Sequence, residues 1–179
     1  ASSNSQHGIY LSTSSNNTIT SNTVNSNGNG IYLILSSNNT ITSNTANSNI
    51  YGISIVIRSN NNQLVSNTAN SNNNAGIFIS SSSNNVISDT TLLSNIVKDV
   101  TFSGSSVNNT FLNATYNISK ESVASGSQLI RKWYLDSNVK DQSSNNLENA
   151  NVEARNASND LQASSLTDSN GNTRQIVTE

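Results

Sequence analysis

Cysteine, methionine and proline do not occur in this chain, and charge is scarce. Without cysteine there is no disulfide framework, no thiolate metal site and no cysteine nucleophile. Without methionine the soft thioether ligand is missing as well. Charged side chains make up 10% of the 179 residues and the net charge is -2. With no basic stripe, nucleic acid is not an expected partner. No apolar run approaches the roughly 20 residues that cross a bilayer. Hydrophobic residues account for only 32% of the chain. That level accompanies disorder when net charge is high or proline abundant, and neither holds here. The chain opens on Ala1 rather than Met, as a fragment would, or a mature product after removal of an upstream signal peptide.

What is present is a repeat. Gly8-Ile9-Tyr10-Leu11 returns as Gly30-Ile31-Tyr32-Leu33, Gly52-Ile53-Ser54-Ile55 and Gly76-Ile77-Phe78-Ile79, with a degenerate copy at Asp99-Val100-Thr101-Phe102. The steps are 22, 22, 24 and 23 residues. A fixed period in the twenties marks a solenoid, whose coils bury their apolar side by stacking on one another.

Each repeat reads as three short strands. Period-two alternation points Ile9/Leu11, Ile31/Leu33, Ile53/Ile55, Ile77/Ile79 and Val100/Phe102 inward. The residue between them forms an outward column of Tyr10, Tyr32, Ser54, Phe78 and Thr101. The second strand contributes Ile19, Ile41, Leu64, Ile87 and Phe111 to the core. The third contributes Val24, Ala46, Ala69, Leu92 and Tyr116, a series that widens the core toward its C-terminal end. Asn17, Asn39, Asn62, Asn85 and Asn109 fall at one corner, and Asn27, Asn49, Asn72 and Asn95 at another. Asn tolerates left-handed backbone at a bend, and stacked amides can bond along the axis. The Gly before each first strand reads as a turn residue. Stacked parallel coils leave an open sheet edge at each end, a polymerisation site unless it is capped.

Charge divides the chain. Residues 1–88 hold one charged side chain, Arg58, whereas residues 120–179 hold 14 of the 18. A β-helix over residues 1–119 followed by a partial β-sandwich over 120–179 is therefore expected. In the second segment Leu129 to Leu135 reads as a strand with Trp133 as core anchor. Asn151 to Arg155 and Arg174 to Val177 read as further strands, with a turn at Asp168-Ser169-Asn170-Gly171-Asn172. So few strands make an incomplete sandwich, to be completed by downstream residues or by a neighbouring subunit.

The phrases Gly30-Ile31-Tyr32-Leu33, Ser37-Asn38-Asn39-Thr40-Ile41-Thr42 and Ser43-Asn44-Thr45 resemble the right-handed parallel β-helix repeats of archaeal surface proteins, grouped as NosD-like or CASH repeats. The resemblance covers residues 8–117. The segment from Trp133-Tyr134-Leu135 to Asp168-Ser169-Asn170-Gly171 is similar to an immunoglobulin-like or carboxypeptidase-regulatory-like sandwich. The resemblance implies an all-β fold and the company of surface-layer and sheath proteins. It does not carry chemistry.

Five activities can be weighed on the residues. Glycosidases need two carboxyl groups about 5–10 Å apart, and the solenoid offers only Asp89 and Asp99, on different strands of their coils. β-Elimination usually needs a carboxylate cluster around Ca²⁺, and none is present, so no catalytic residue is assigned. Sugar binding has candidate stacking rings in Tyr10, Tyr32 and Phe78. Ice binding has Thr18-Ile19-Thr20 and Thr40-Ile41-Thr42, but Gln63-Leu64-Val65 and Val86-Ile87-Ser88 interrupt the plane. Copper delivery, implied by the NosD label, needs soft ligands or several imidazoles, and His7 is the single His. Neither metal nor cofactor is expected. Asn16, Asn38, Asn108, Asn113, Asn117 and Asn156 fit the Asn-x-Ser/Thr pattern of glycan acceptors. The reading that remains is a non-enzymatic structural protein of the extracellular envelope, a sheath or a filament. It would polymerise with itself through sheet edges, with glycans as further partners; a carbohydrate-binding surface protein is the alternative.

Overall fold

A computed structural model describes all residues, 1–179. The chain forms two compact units, Ala1–Ile130 and Arg131–Glu179. The first is a parallel β-solenoid of about five coils. One sheet runs His7–Ser12, Asn29–Ile34, Tyr51–Val56, Ala75–Ser80, Lys98–Ser103 and Glu121–Val123. The last strand pairs Val100 with Glu121, so the stack continues past residue 119, where the period fades from the sequence. A second sheet contains Thr18–Thr20, Thr40–Thr42, Gln63–Val65, Val86–Ser88 and Asn109–Leu112. The third side is thinner, with single bridges linking Thr23, Thr45, Thr68 and Thr91 and a short pair joining Thr91–Leu92 to Thr115–Tyr116.

Register follows the repeat. Ile9, Ile31, Ile53, Ile77 and Val100 are successive partners, as are Ile19, Ile41, Leu64, Ile87 and Phe111. These columns are buried from the second coil onward, and Val24, Ala46, Ala69 and Leu92 complete the core. Phe102, Phe111 and Tyr116 pack ring against ring at the widened C-terminal end. The core is only a few side chains wide, and each fully buried Ile or Leu contributes about 1.5–3 kcal/mol.

The corners differ from the sequence expectation. Coil two turns at Leu35, Asn38, Ser43 and Ser48, with φ of 52, 58, 56 and 57. The residue after each, Ser36, Asn39, Asn44 or Asn49, is buried. The left-handed residue and the inward Asn are thus neighbours, not one residue. An outward left-handed residue turns the chain so that the next side chain points along the axis.

The buried residues form ladders. Asn17, Asn39, Asn62 and Asn85 each donate their backbone N–H and Nδ2 to the Oδ1 of the next Asn, ending on Asn109, at 2.9–3.0 Å. Asn27, Asn49, Asn72 and Asn95 repeat the pattern. Asn22, Asn44 and Asn67 form a third ladder that ends on Thr90. A serine ladder runs Ser14, Ser36, Ser59, Ser82, Ser106 and Ser127. The third Asn line and the serine line were missed in the sequence.

The repeat glycines are also not turn residues. Gly30, Gly52 and Gly76 lie at the starts of first-sheet strands, and none has a left-handed φ. A Cβ on Gly52 would stand 2.6 Å from the Gly76 carbonyl oxygen, 2.7 Å from the Ala69 Cβ and 2.8 Å from the Asn72 Nδ2. Glycine is needed there because a ladder and the next coil leave no volume for a side chain.

In the second unit the strand beginning at Leu129 and ending at Asn138 pairs antiparallel with Asn172–Thr178, and Asn151–Arg155 pairs with Leu161–Leu166. Gln175 Nε2 reaches the Val152 carbonyl at 2.7 Å and joins the two pairs. Trp133 is not the core anchor expected: it remains 38% exposed, with Nε1 donating to Glu179 at 3.1 Å. The layer Asn151–Arg155 with Leu161–Leu166 is two strands wide and gives too little cover for a ring of that size.

Candidate functional site

The outward face of the first sheet carries the densest cluster of aromatic and amide groups. Strand register places Tyr10, Tyr32, Ser54, Phe78 and Thr101 in one outward column. His7, Asn29, Tyr51, Ala75 and Lys98 form a second column beside it. His7 lies flat on Tyr32, with centroids 4.5 Å apart and planes 5° apart, and Tyr10 stacks on Tyr32 at 5.7 Å. Tyr51 leans on Phe78 at 5.2 Å and accepts a 2.7 Å bond from Asn74 Nδ2.

Small polar groups join the two ring clusters. Ser54, buried between larger neighbours, donates to Asn29 Oδ1 at 2.6 Å, and Asn29 Nδ2 lies 3.3 Å from His7 Nδ1. An amide NH₂ only donates, so that contact uses the Nδ1 lone pair and leaves the proton on Nε2. Burial pushes the His7 pKa below its ordinary 6.5, because the charged ring loses water. Burial first, then the neighbouring Tyr10, raises Tyr32 above 10.0. Both shifts favour the neutral forms of His7 and Tyr32.

The three sugar-stacking candidates do not form one flat platform. Tyr10 and Tyr32 cover each other's faces, leaving the outer face of Tyr10, which is 54% exposed, and the ring edges. Phe78 belongs to a separate pair with Tyr51. Asn29, Tyr51 and Asn74 escaped the sequence reading; Asn29 and Tyr51, like His7, stand three residues before the outward column, and Asn74 stands four before Phe78.

The two solenoid acids have separate environments. Asp89 is exposed at a left-handed corner and accepts from Asn113 Nδ2 at 2.7 Å. Asp99 is buried where earlier coils carry the repeat Gly. Its Oδ1 accepts from Asn95 Nδ2 at 2.9 Å and its Oδ2 from the Asn117 N–H at 3.0 Å. Asp99 thus terminates the second Asn ladder, a structural role that the interrupted Gly column could have revealed.

In the second unit an open hollow of about 500 Å³ is bordered by Asp136, Asp168 and Arg174. Hydrogen bonding to Arg174 holds Asp136 below the usual carboxylate range. Asp168 Oδ1 is engaged by the Asn170 and Asn172 N–H groups.

A sequence model described as "Periplasmic copper-binding protein (NosD)" matches residues 1–146. The chain belongs to the NosD family. That description associates the family with the periplasm, and no helix of this member is long and apolar enough to cross a membrane. No curated protein and no solved structure shows significant similarity to the chain.

Copper takes thiolate, thioether or imidazole donors by preference. This NosD-family chain has a single imidazole, with Nδ1 facing Asn29 and one face against Tyr32. No group of three His, Cys, Asp or Glu side chains gathers in the fold. The residues present do not fit a copper centre.

All six sequon asparagines, Asn16, Asn38, Asn108, Asn113, Asn117 and Asn156, are exposed.

Proposed function

We propose that this NosD-family chain is a structural element of the extracellular envelope, forming a sheath or filament by stacking on further copies of itself. The observation that carries the reading is the N-terminal coil. His7–Ser12 and Thr18–Thr20 end their sheets, so each has one row of backbone groups without a strand partner. At the same face the serine ladder and two Asn ladders begin with Ser14, Asn17 and Asn22, whose oxygens would accept from a preceding coil as Ser36, Asn39 and Asn44 do. A face that repeats the internal contact surface of the stack is suited to extending it. The near absence of charge over residues 1–88 removes the repulsion that would oppose such contact.

Electron microscopy of the full chain over a concentration series tests this. Ordered filaments, hoops or sheets are expected. Dispersed monomers at every concentration would overturn the reading.

The second reading, a non-catalytic carbohydrate-binding surface protein, is favoured by the cluster of His7, Tyr10, Tyr32 and Asn29. A glycan-binding screen with Tyr10→Ala as control addresses it; binding unchanged by that substitution would remove the cluster from consideration. Copper, carried by the family description, has no place in either reading. Titration with Cu(I) and Cu(II), comparing the chain with His7→Gln, is expected to show at most weak binding at His7.

A further inference from the structure

We propose that Asn117 is an acceptor for an N-linked glycan on the folded chain, and that the structure separates it from the other five sequons. Asn16, Asn38 and Asn108 sit at left-handed corners with φ of 61, 58 and 55, and the residues after them are locked into the solenoid. After Asn38, for example, the Asn39 N–H donates to Asn62 Oδ1 at 2.9 Å and the Thr40 N–H to the Asn17 carbonyl at 2.9 Å. A transferase must draw the whole sequon into its own active site, and these corners leave the fold only by breaking buried bonds. Asn113 commits its Nδ2 to Asp89, and Asn156 commits its Nδ2 to Asp160 at 3.1 Å.

Asn117 is placed differently: its own N–H donates to Asp99 Oδ2 at 3.0 Å, but the Ser119 N–H and hydroxyl bond within the sequon rather than to the solenoid. It caps the 3-10 helix Ile118–Lys120, which has no buried residue, and Ile118 is 54% exposed. Its Oδ1 accepts from the Ser119 N–H at 3.0 Å and from the Ser119 hydroxyl at 2.9 Å. The sequon's own Ser therefore closes the turn and leaves Nδ2 without a partner in the chain. Two donors on Oδ1 also stabilise the negative charge that the amide oxygen gains as Nδ2 turns nucleophilic.

The co-reactant is a sugar activated on a lipid diphosphate. Nδ2 forms a bond to the anomeric carbon, and the bond from that carbon to the diphosphate oxygen breaks. The diphosphate leaves with the electron pair, and the Nδ2 proton passes to a base of the transferase. No oxidant or reductant is involved. The proposal rests on the envelope reading only for where the chain would meet such a donor.

The test uses the folded full chain, a purified oligosaccharyltransferase that accepts Asn-x-Ser/Thr, and a lipid-linked oligosaccharide, with occupancy mapped by peptide mass spectrometry. Occupancy of Asn117 at least tenfold above Asn16, Asn38 and Asn108 is expected. It should vanish in Asn117→Gln, fall in Ser119→Ala and persist in Ser119→Thr. Denatured chain serves as the activity control. Labelling of the denatured chain with none at Asn117 of the folded chain would overturn the proposal, as would equal labelling of the corner sequons. Assembly of the unmodified chain is read separately by microscopy. Its failure with Asn117 labelled would remove the envelope reading and leave the site standing.

Discussion

At single positions the stack is sensitive to one atom. Gly52→Ala places a methyl group within 2.8 Å of three buried atoms, and overpacking of that kind costs about 1–3 kcal/mol. Chemical denaturation should show that loss, whereas Thr20→Ala, on the exposed side of its strand, should show much less. Asp99 offers a second case. Its two oxygens each meet a donor, so Asp99→Asn must turn an NH₂ toward one of them. A donor left buried without an acceptor costs about 1–3 kcal/mol, and the melting temperature should drop accordingly. An unchanged melt would mean that Asp99 does not hold the end of its ladder.

The ladder is the element that distinguishes this solenoid from a stack of strands. Each Asn of a ladder interior uses both ends of its amide. Asn62 Oδ1 accepts from the Asn39 N–H and Nδ2, while its own Nδ2 donates to the Ser36 carbonyl and to Asn85 Oδ1. Asn62→Ala removes all four contacts inside the core. At about 1–3 kcal/mol for each group left unsatisfied, the variant should be the most damaging of the conservative changes, failing to fold or melting far below the parent. Buried Asn lines also have a direction, since each Oδ1 accepts from the N-terminal coil and each backbone N–H donates to the C-terminal one. Head-to-tail stacking is the arrangement that would repeat those contacts between copies.

For the whole molecule, pH and salt are the informative variables. His7 has a folded pKa below its unfolded 6.5, so the unfolded chain binds more protons as the solution is acidified. The His7 contribution is complete above pH 6.5 and is lost as pH falls through the folded value. Tyr32 has a folded pKa above 10.0, so its contribution is complete below pH 10 and is lost as pH rises through the folded value. A melting profile should therefore decline on both sides, and His7→Gln, which keeps an acceptor for Asn29, should flatten the acid limb. A full acid decline in that variant would assign the effect to other groups. Salt should matter little over residues 1–88. With Arg58 the only charged side chain in residues 1–88, there is little charge interaction to screen. Assembly through the N-terminal face should accordingly persist from low salt to molar salt.

The sequence by itself determined the solenoid, its coil boundaries and the inward columns, because strand alternation and a fixed stacking period leave one arrangement that buries Ile31, Ile41 and their repeats. It also determined that the chain has no thiolate or thioether donor, since cysteine and methionine are absent. Only the tertiary structure decided what depends on contacts 22 to 25 residues apart. The Gly column is a matter of missing volume rather than of φ. The inward Asn follows the left-handed residue rather than being it, Asp99 ends a ladder, and His7 joins Asn29 and Ser54 across three coils. The second unit was legible in its strands and not in its packing. Trp133 reads as a core residue from its neighbours in sequence, but burial depends on the area of the layer that faces it, and that layer is two strands wide.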